Sequence, residues 1–118
     1  MEKIAIFGCG TAGTRALPEL LLRYKVVNFL DNDAQKHGAK VAGVRVVDPE
    51  TYDYATVERV FIASMYVDEI LVQLLGLGVH SSKIEYVRQE SLGKVPPRRR
   101  SGFDAFQRAL YLPFRLLR

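Results

Sequence analysis

The sequence predicts a three-layer α/β domain built on a parallel sheet of about five strands in the order 3-2-1-4-5. Three observations carry this expectation. Short, near-continuous apolar segments alternate with segments of helical periodicity. The apolar segments lack an in–out alternation, which implies strands covered on both faces. Glycines and Asp/Asn clusters mark where one element gives way to the next. Right-handed crossovers between parallel strands then set the strand order.

Lys3-Ile4-Ala5-Ile6-Phe7 is the first strand, closed by Gly8. Beyond Gly13, Ala16, Leu17, Leu20, Leu21 and Tyr24 recur at helical spacing. Pro18 falls inside that helix, where it removes a backbone donor, so a bend or a fresh start near Pro18-Glu19 is expected. Val26 to Leu30 forms the second strand and Asp31-Asn32-Asp33 ends it. His37-Gly38 and Ala42-Gly43 punctuate a connection to a short third strand, Val44 to Val47. Pro49 to Tyr52 reads as one helical turn that Asp48 can cap. Val57 to Ala63 is the fourth strand, Asp68 to Leu77 an amphipathic helix stopped by Gly78, and Ile84 to Val87 the fifth strand.

Residues 1–92 therefore form the domain, and residues 93–118 a basic appendage. Pro96-Pro97 and Arg98-Arg99-Arg100 mark a linker. From 103 to 118 helical periodicity returns, with Phe103, Phe106, Leu110, Phe114 and Leu117 on one side and Arg108, Tyr111 and Arg115 on the other. That basic amphipathic helix suits a second copy, a partner domain or an anionic membrane surface.

The chain has 118 residues, 48% of them apolar and 25% charged, the balance of a single globular domain. Its net charge of +4 is unevenly spread. Residues 94–118 hold seven basic side chains against Asp104, whereas the other 93 residues hold ten basic and twelve acidic ones. A basic footprint across the folded domain is missing, which argues against nucleic acid as a partner. No apolar stretch reaches the roughly 20 residues of a membrane span. With one Cys and no signal-peptide pattern at Met1-Glu2-Lys3, the expected compartment is the cytoplasm, peripheral to the inner membrane if the tail binds lipid.

Gly8-Cys9-Gly10-Thr11-Ala12-Gly13 carries the functional expectation. It follows a buried strand, opens a helix, and has Asp31 at the end of the next strand. Gly8 permits a tight turn, Gly10 lets the backbone approach a pyrophosphate, and Gly13 lets helix and strand pack closely. The free amides and the dipole of the helix N-terminus favour phosphate. A carboxylate at Asp31 accepts hydrogen bonds from ribose hydroxyls and repels a 2′-phosphate, which favours NAD(H) over NADP(H). Together these features give a Rossmann-like nucleotide site.

The run Ile6 to Gly13, then Val27 to Asp33, Lys36-x-Gly38 and Val41-x-Gly43-Val44, resembles the Rossmann-like "CoA-binding" domain at the N-terminus of polysaccharide-biosynthesis nucleotide-sugar dehydratases and epimerases. The likeness covers about residues 1–90. It implies a ligand such as NAD, a UDP-sugar or CoA lying over Gly8 to Gly13. It further implies that Asp31 and Asn32 approach the ribose and that Ser64 and Met65 flank the base or nicotinamide side. In those enzymes a second domain carries catalysis, and the likeness does not extend to it. No Tyr is followed four positions later by Lys, and no other catalytic pair can be assembled. The chain thus reads as a binding or regulatory module, with an enzyme completed by a partner or second subunit as the alternative.

Cys9 sits at a helix N-terminus that can lower a thiol pKa, although a small side chain suited to a crowded turn accounts for it better. Asp31 and Asp33 diverge in extended structure, so no metal pair is expected. His37 and His80 read as surface residues. Tyr66 and Asp68 follow the fourth strand at the edge where α/β sheets bind ligands, and Asp68 serves equally well as a helix cap.

Overall fold

The computed structural model describes residues 1–87. The boundary at residue 92, the linker and the amphipathic helix over 103–118 lie outside the described residues. The elements in chain order are β1 (Lys3–Phe7), α1 (Thr11–Leu21), β2 (Lys25–Leu30), β3 (Lys40–Val41), β4 (Val44–Val47), β5 (Arg59–Ile62), α2 (Val67–Gly76) and β6 (Ile84–Tyr86). They form one six-stranded sheet in the order β3-β4-β2-β1-β5-β6. Setting β3 aside, this is the expected 3-2-1-4-5 arrangement, and every pairing in it is parallel.

Both faces of the sheet are covered because successive side chains of a strand point to opposite sides. Ala5 and Phe7 join Val60, Ile62, Ile70, Leu71 and Leu74 in one core beneath α2. Ile4 and Ile6 join Phe29, Val46, Phe61 and Leu17 in the other, beneath α1. Tyr52 and Tyr54 extend the α2-side core over β2 and β4, with their rings edge to face at 5.1 Å. The chain leaves β1 for β2 on one side and later returns to β5 on the other. The ends of β1, β2 and β5 therefore face a crevice between helices that diverge to opposite faces.

The structure corrects the sequence reading at three places. Lys40–Val41 is a sixth strand, antiparallel to β4, where only a connection was expected. Ala42 (φ 52°) and Gly43 (φ 84°) both occupy the left-handed region, which turns the two residues into a hairpin loop. Pro49 to Tyr52 does not form a helical turn. Asp48 Oδ1 accepts from the Glu50 amide at 2.9 Å in a simple turn, and the 3-10 turn comes at Tyr54–Thr56, capped by Asp53. Burial of Pro49, whose carbonyl accepts from the Tyr54 hydroxyl at 2.8 Å, holds this loop against the sheet. Finally, α1 is one helix from Thr11 to Leu21 with Pro18 inside it, so the chain does not make a fresh start at Pro18-Glu19. The proline removes the one donor that would reach Thr14, while buried Ala16 and Leu17, immediately before it, anchor the helix on the sheet.

Candidate functional site

The glycine turn can be understood one position at a time. Gly8 has φ +114°, and a Cβ there would lie 2.5 Å from the Ala63 carbonyl oxygen, so only glycine lets the end of β1 pass the end of β5. A Cβ on Gly13 would lie 1.8 Å from the Gly8 carbonyl oxygen, so helix and turn are in backbone contact there. At Gly10 nothing stands within 4 Å of where a Cβ would be. Gly10 is also the N-cap residue of α1, where no side chain caps the helix and the first turn holds no acidic residue. The opening amides of α1 therefore face open space with the positive end of the helix dipole behind them.

A cleft of about 570 Å³ lies over this turn. Gly8, Gly10, Thr11 and Ala12 line one side, and Asp31, Asn32 and Lys36 follow from the end of β2. Across from them stand Ser64, Met65 and Tyr66, then Glu69, Ile70 and Gln73 along one face of α2. Eight of the ten site residues expected from sequence thus share this cleft. Cys9 and Gly13 do not line it: the first packs into the core under α1 and the second is pressed against Gly8.

Asp31 binds the turn rather than standing apart from it. Its Oδ2 accepts from the Cys9 amide at 3.0 Å and its Oδ1 from the Asp33 amide at 2.9 Å. Burial acts to raise this carboxyl, but the two amides and the Lys36 ammonium at 3.8 Å outweigh burial and hold it below the usual carboxylate range. The Nε2 of half-buried His37 donates to the Asp31 carbonyl at 2.6 Å, so this histidine braces the end of β2 instead of being a plain surface residue. Asp33 caps the 3-10 turn at Ala34–Lys36 by accepting from the Gln35 amide. Burial, followed by the charge of Asp31, pushes the Cys9 thiol up. His80 is exposed, and its Nδ1 accepts from the Ser82 amide at 3.1 Å.

Asn32 and Gln73 face each other across the cleft in a reciprocal amide pair, with both bonds 2.9 Å, and Gln73 Nε2 also donates to Glu50 at 2.7 Å. This clasp joins three separate segments at one end of the cleft. At the other end Ser64 Oγ accepts from the Tyr66 amide, while Met65 and Tyr66 stand about two-thirds exposed at the rim. Asp68 is buried in the first turn of α2, one residue inside the helix, and neither caps it nor lines the cleft. Lys36, Glu69, Ile70 and Gln73 escaped the sequence reading. The signal for the last three was present, since from Tyr66 they follow the i+3, i+4, i+7 stripe of one helix face.

A family profile described as C2185-like, N-terminal matches residues 1–85. The chain belongs to this family. No curated protein matches this chain in sequence. Among solved structures it is similar to UDP-D-quinovosamine 4-dehydrogenase from Vibrio fischeri, with a TM-score of 0.57 and 19% identity over 77% of this chain and 82% of that one. It is also similar to RSP, a Rex-family repressor (TM-score 0.56, 15% identity, 92% of this chain and 59% of that one). The structure of RSP in complex with β-NADH gives a TM-score of 0.55 at 15% identity, over 100% of this chain and 65% of that one. At these identities the likeness shows the fold, which is Rossmann-like, and this chain spans about three-fifths of the RSP chains.

Proposed function

We propose that this domain binds a nucleotide through its 5′-diphosphate and serves as a binding or regulatory module, in nucleotide-sugar or surface-polysaccharide metabolism. One observation carries the reading: the opening amides of α1 are uncapped and unobstructed at Gly10, inside a cleft that also holds Asp31. The group fits the residues present, because a Cβ at Gly10 would fill the space a diphosphate needs. Thr11 and Ala12 present amides to the diphosphate, Asp31 and Asn32 lie toward the ribose, and Ser64, Met65 and Tyr66 border the distal half. NAD(H) is the first ligand to test, supported by the fold shared with RSP, whose complex contains β-NADH. UDP-sugars and CoA follow, supported by the resemblance of the glycine turn and the Asp31-Asn32-Asp33 segment to the domain that precedes the dehydratases. NAD(H), when bound, supplies a hydride donor or acceptor at its nicotinamide, while this chain's own residues bind and orient it.

A second reading, an oxidoreductase or epimerase completed by a partner or second subunit, is favoured by the fold shared with UDP-D-quinovosamine 4-dehydrogenase. In either case the segment 103–118 is the proposed contact to a second copy, a partner domain or an anionic membrane, on the cytoplasmic side. Among the described residues no helix is long and apolar enough to cross a membrane. Native mass spectrometry of the freshly purified chain, followed by thermal shift with NAD, UDP-glucose and CoA, tests the binding reading. A co-purifying nucleotide or a ligand-dependent rise in Tm supports it, and a nucleotide-free chain that shows no shift with any of the three refutes it. A change in NADH absorbance on incubation with UDP-sugars would select the enzyme reading.

A further inference from the structure

We propose that the C-terminal segment 103–118 docks on the outer face of its own α2, a contact that stands whether or not a nucleotide fills the cleft. Two helices of the domain hold large apolar side chains in water. On α2, away from the cleft, Val72 is 67% and Leu75 45% exposed. Gly76 shares their side of the helix, and nothing stands within 4 Å of where its Cβ would be, so a packing partner can come close there. On α1, Leu21 in the last turn and Leu22 at the C-cap are exposed as well. Either patch suits the apolar side of 103–118, where helical spacing brings Phe103, Phe106, Leu110, Phe114 and Leu117 together.

Charge separates the two patches. α2 contains Asp68 and Glu69 and no basic residue. Residues 11–25, which span α1 and its exit, contain Arg15, Arg23 and Lys25 against Glu19 alone. Residues 94–118 are strongly basic, so α2 attracts them and α1 repels them. Topology points the same way. β6 runs parallel to β5, and the Val87 amide donates to the Ile62 carbonyl at 2.9 Å, so the chain leaves the sheet beside the end of β5. α2 starts from that same end, with its two acidic residues in the first turn. Residues 88–102 reach roughly 50 Å when fully extended, ample to bring Phe103 onto α2. A helix from Phe103 to Leu117 would be about 21 Å long and α2 is about 15 Å long, so the apolar side of one can cover the whole of the other. The tether holds the segment near its own α2 at a local concentration on the order of millimolar. A second copy, a partner domain or a membrane therefore has to displace it.

Disulfide trapping in the full chain tests this. Val72→Cys combined with Leu110→Cys should cross-link within one chain at least roughly five-fold faster than Leu22→Cys combined with Leu110→Cys. Cys9 is buried and stays out of the reaction. Trypsin should cut the parent after Arg108 at least roughly five-fold more slowly than it cuts the double variant Val72→Lys/Leu75→Lys. Phe114→Ser, on the other side of the contact, should lose the same protection without any change to α2. Equal cross-linking by the two cysteine pairs overturns the proposal, as does a parent cut after Arg108 as fast as the variants. Cross-links that join two chains overturn it in favour of a second copy. Absence of both cross-links, with co-sedimentation on phosphatidylglycerol vesicles, overturns it in favour of a membrane.

Discussion

Replacing Gly13 by Ala separates the structural role of the glycine turn from its ligand-binding role. The new Cβ would lie 1.8 Å from the Gly8 carbonyl oxygen and 2.8 Å from its carbon, whereas real Cβ contacts stay beyond 3.0 Å. The obstacle is backbone, so no rotamer change relieves it, and α1 must retreat from β1 by about 1.2 Å. That movement loosens Leu17 from Ile4, Ile6 and Phe29 in a core that has no room to refill. Alanine gains about 1 kcal/mol over glycine inside a helix, but overpacking of this kind costs roughly 3 kcal/mol or more. The net loss of about 2 kcal/mol corresponds to a fall in Tm on the order of 10 °C for a domain of this size. Urea denaturation followed by circular dichroism measures it directly, with an unchanged m-value identifying a true stability effect. A Gly13→Ala protein within about 0.5 kcal/mol of the parent would refute the reasoning, because the 1.8 Å approach could not then be real.

The same substitution at Gly10 should do the opposite. A Cβ there meets nothing, so Gly10→Ala should change stability by less than about 1 kcal/mol while abolishing the Tm rise given by the binding nucleotide. Asp31→Asn should destabilise by about 1–3 kcal/mol at neutral pH, because an amide group then faces the Cys9 or Asp33 N–H that a carboxylate oxygen now accepts. Since the folded protein holds the Asp31 carboxyl below its ordinary value of 3.8, its contribution is present above that pH and is lost as the pH falls through the depressed value. Acid unfolding curves of the parent should therefore steepen below about pH 4 relative to Asp31→Asn, and parallel curves would count against the assignment. Ala42→Asn, placing asparagine at φ 52° beside Gly43, should stabilise the β3–β4 hairpin by roughly 0.5–1 kcal/mol, visible as a higher urea midpoint.

The residues alone determined the five core strands, their order and the glycine turn. Runs such as Ile4 to Phe7 and Val60 to Ala63 have no polar face to show water, so they must be covered twice, and chirality then restricts their connections. The turn was legible for a similar reason: what Gly8, Gly10 and Gly13 each do depends on the absence of a Cβ, a property of the residue itself. Tertiary structure decided what fills the cleft opposite that turn. Asn32 and Gln73 are 41 positions apart, and nothing local to either says that their amides meet. Lys36 belongs to a three-residue turn too short for a periodic signal, and Asp31 reads as a free acid until the Cys9 amide is seen 3.0 Å away. Periodicity and backbone stereochemistry act within a few residues and are written along the chain. A carboxylate's partners and the far wall of a cleft depend on which distant segments the packed sheet brings within about 4 Å, and only the folded core sets that.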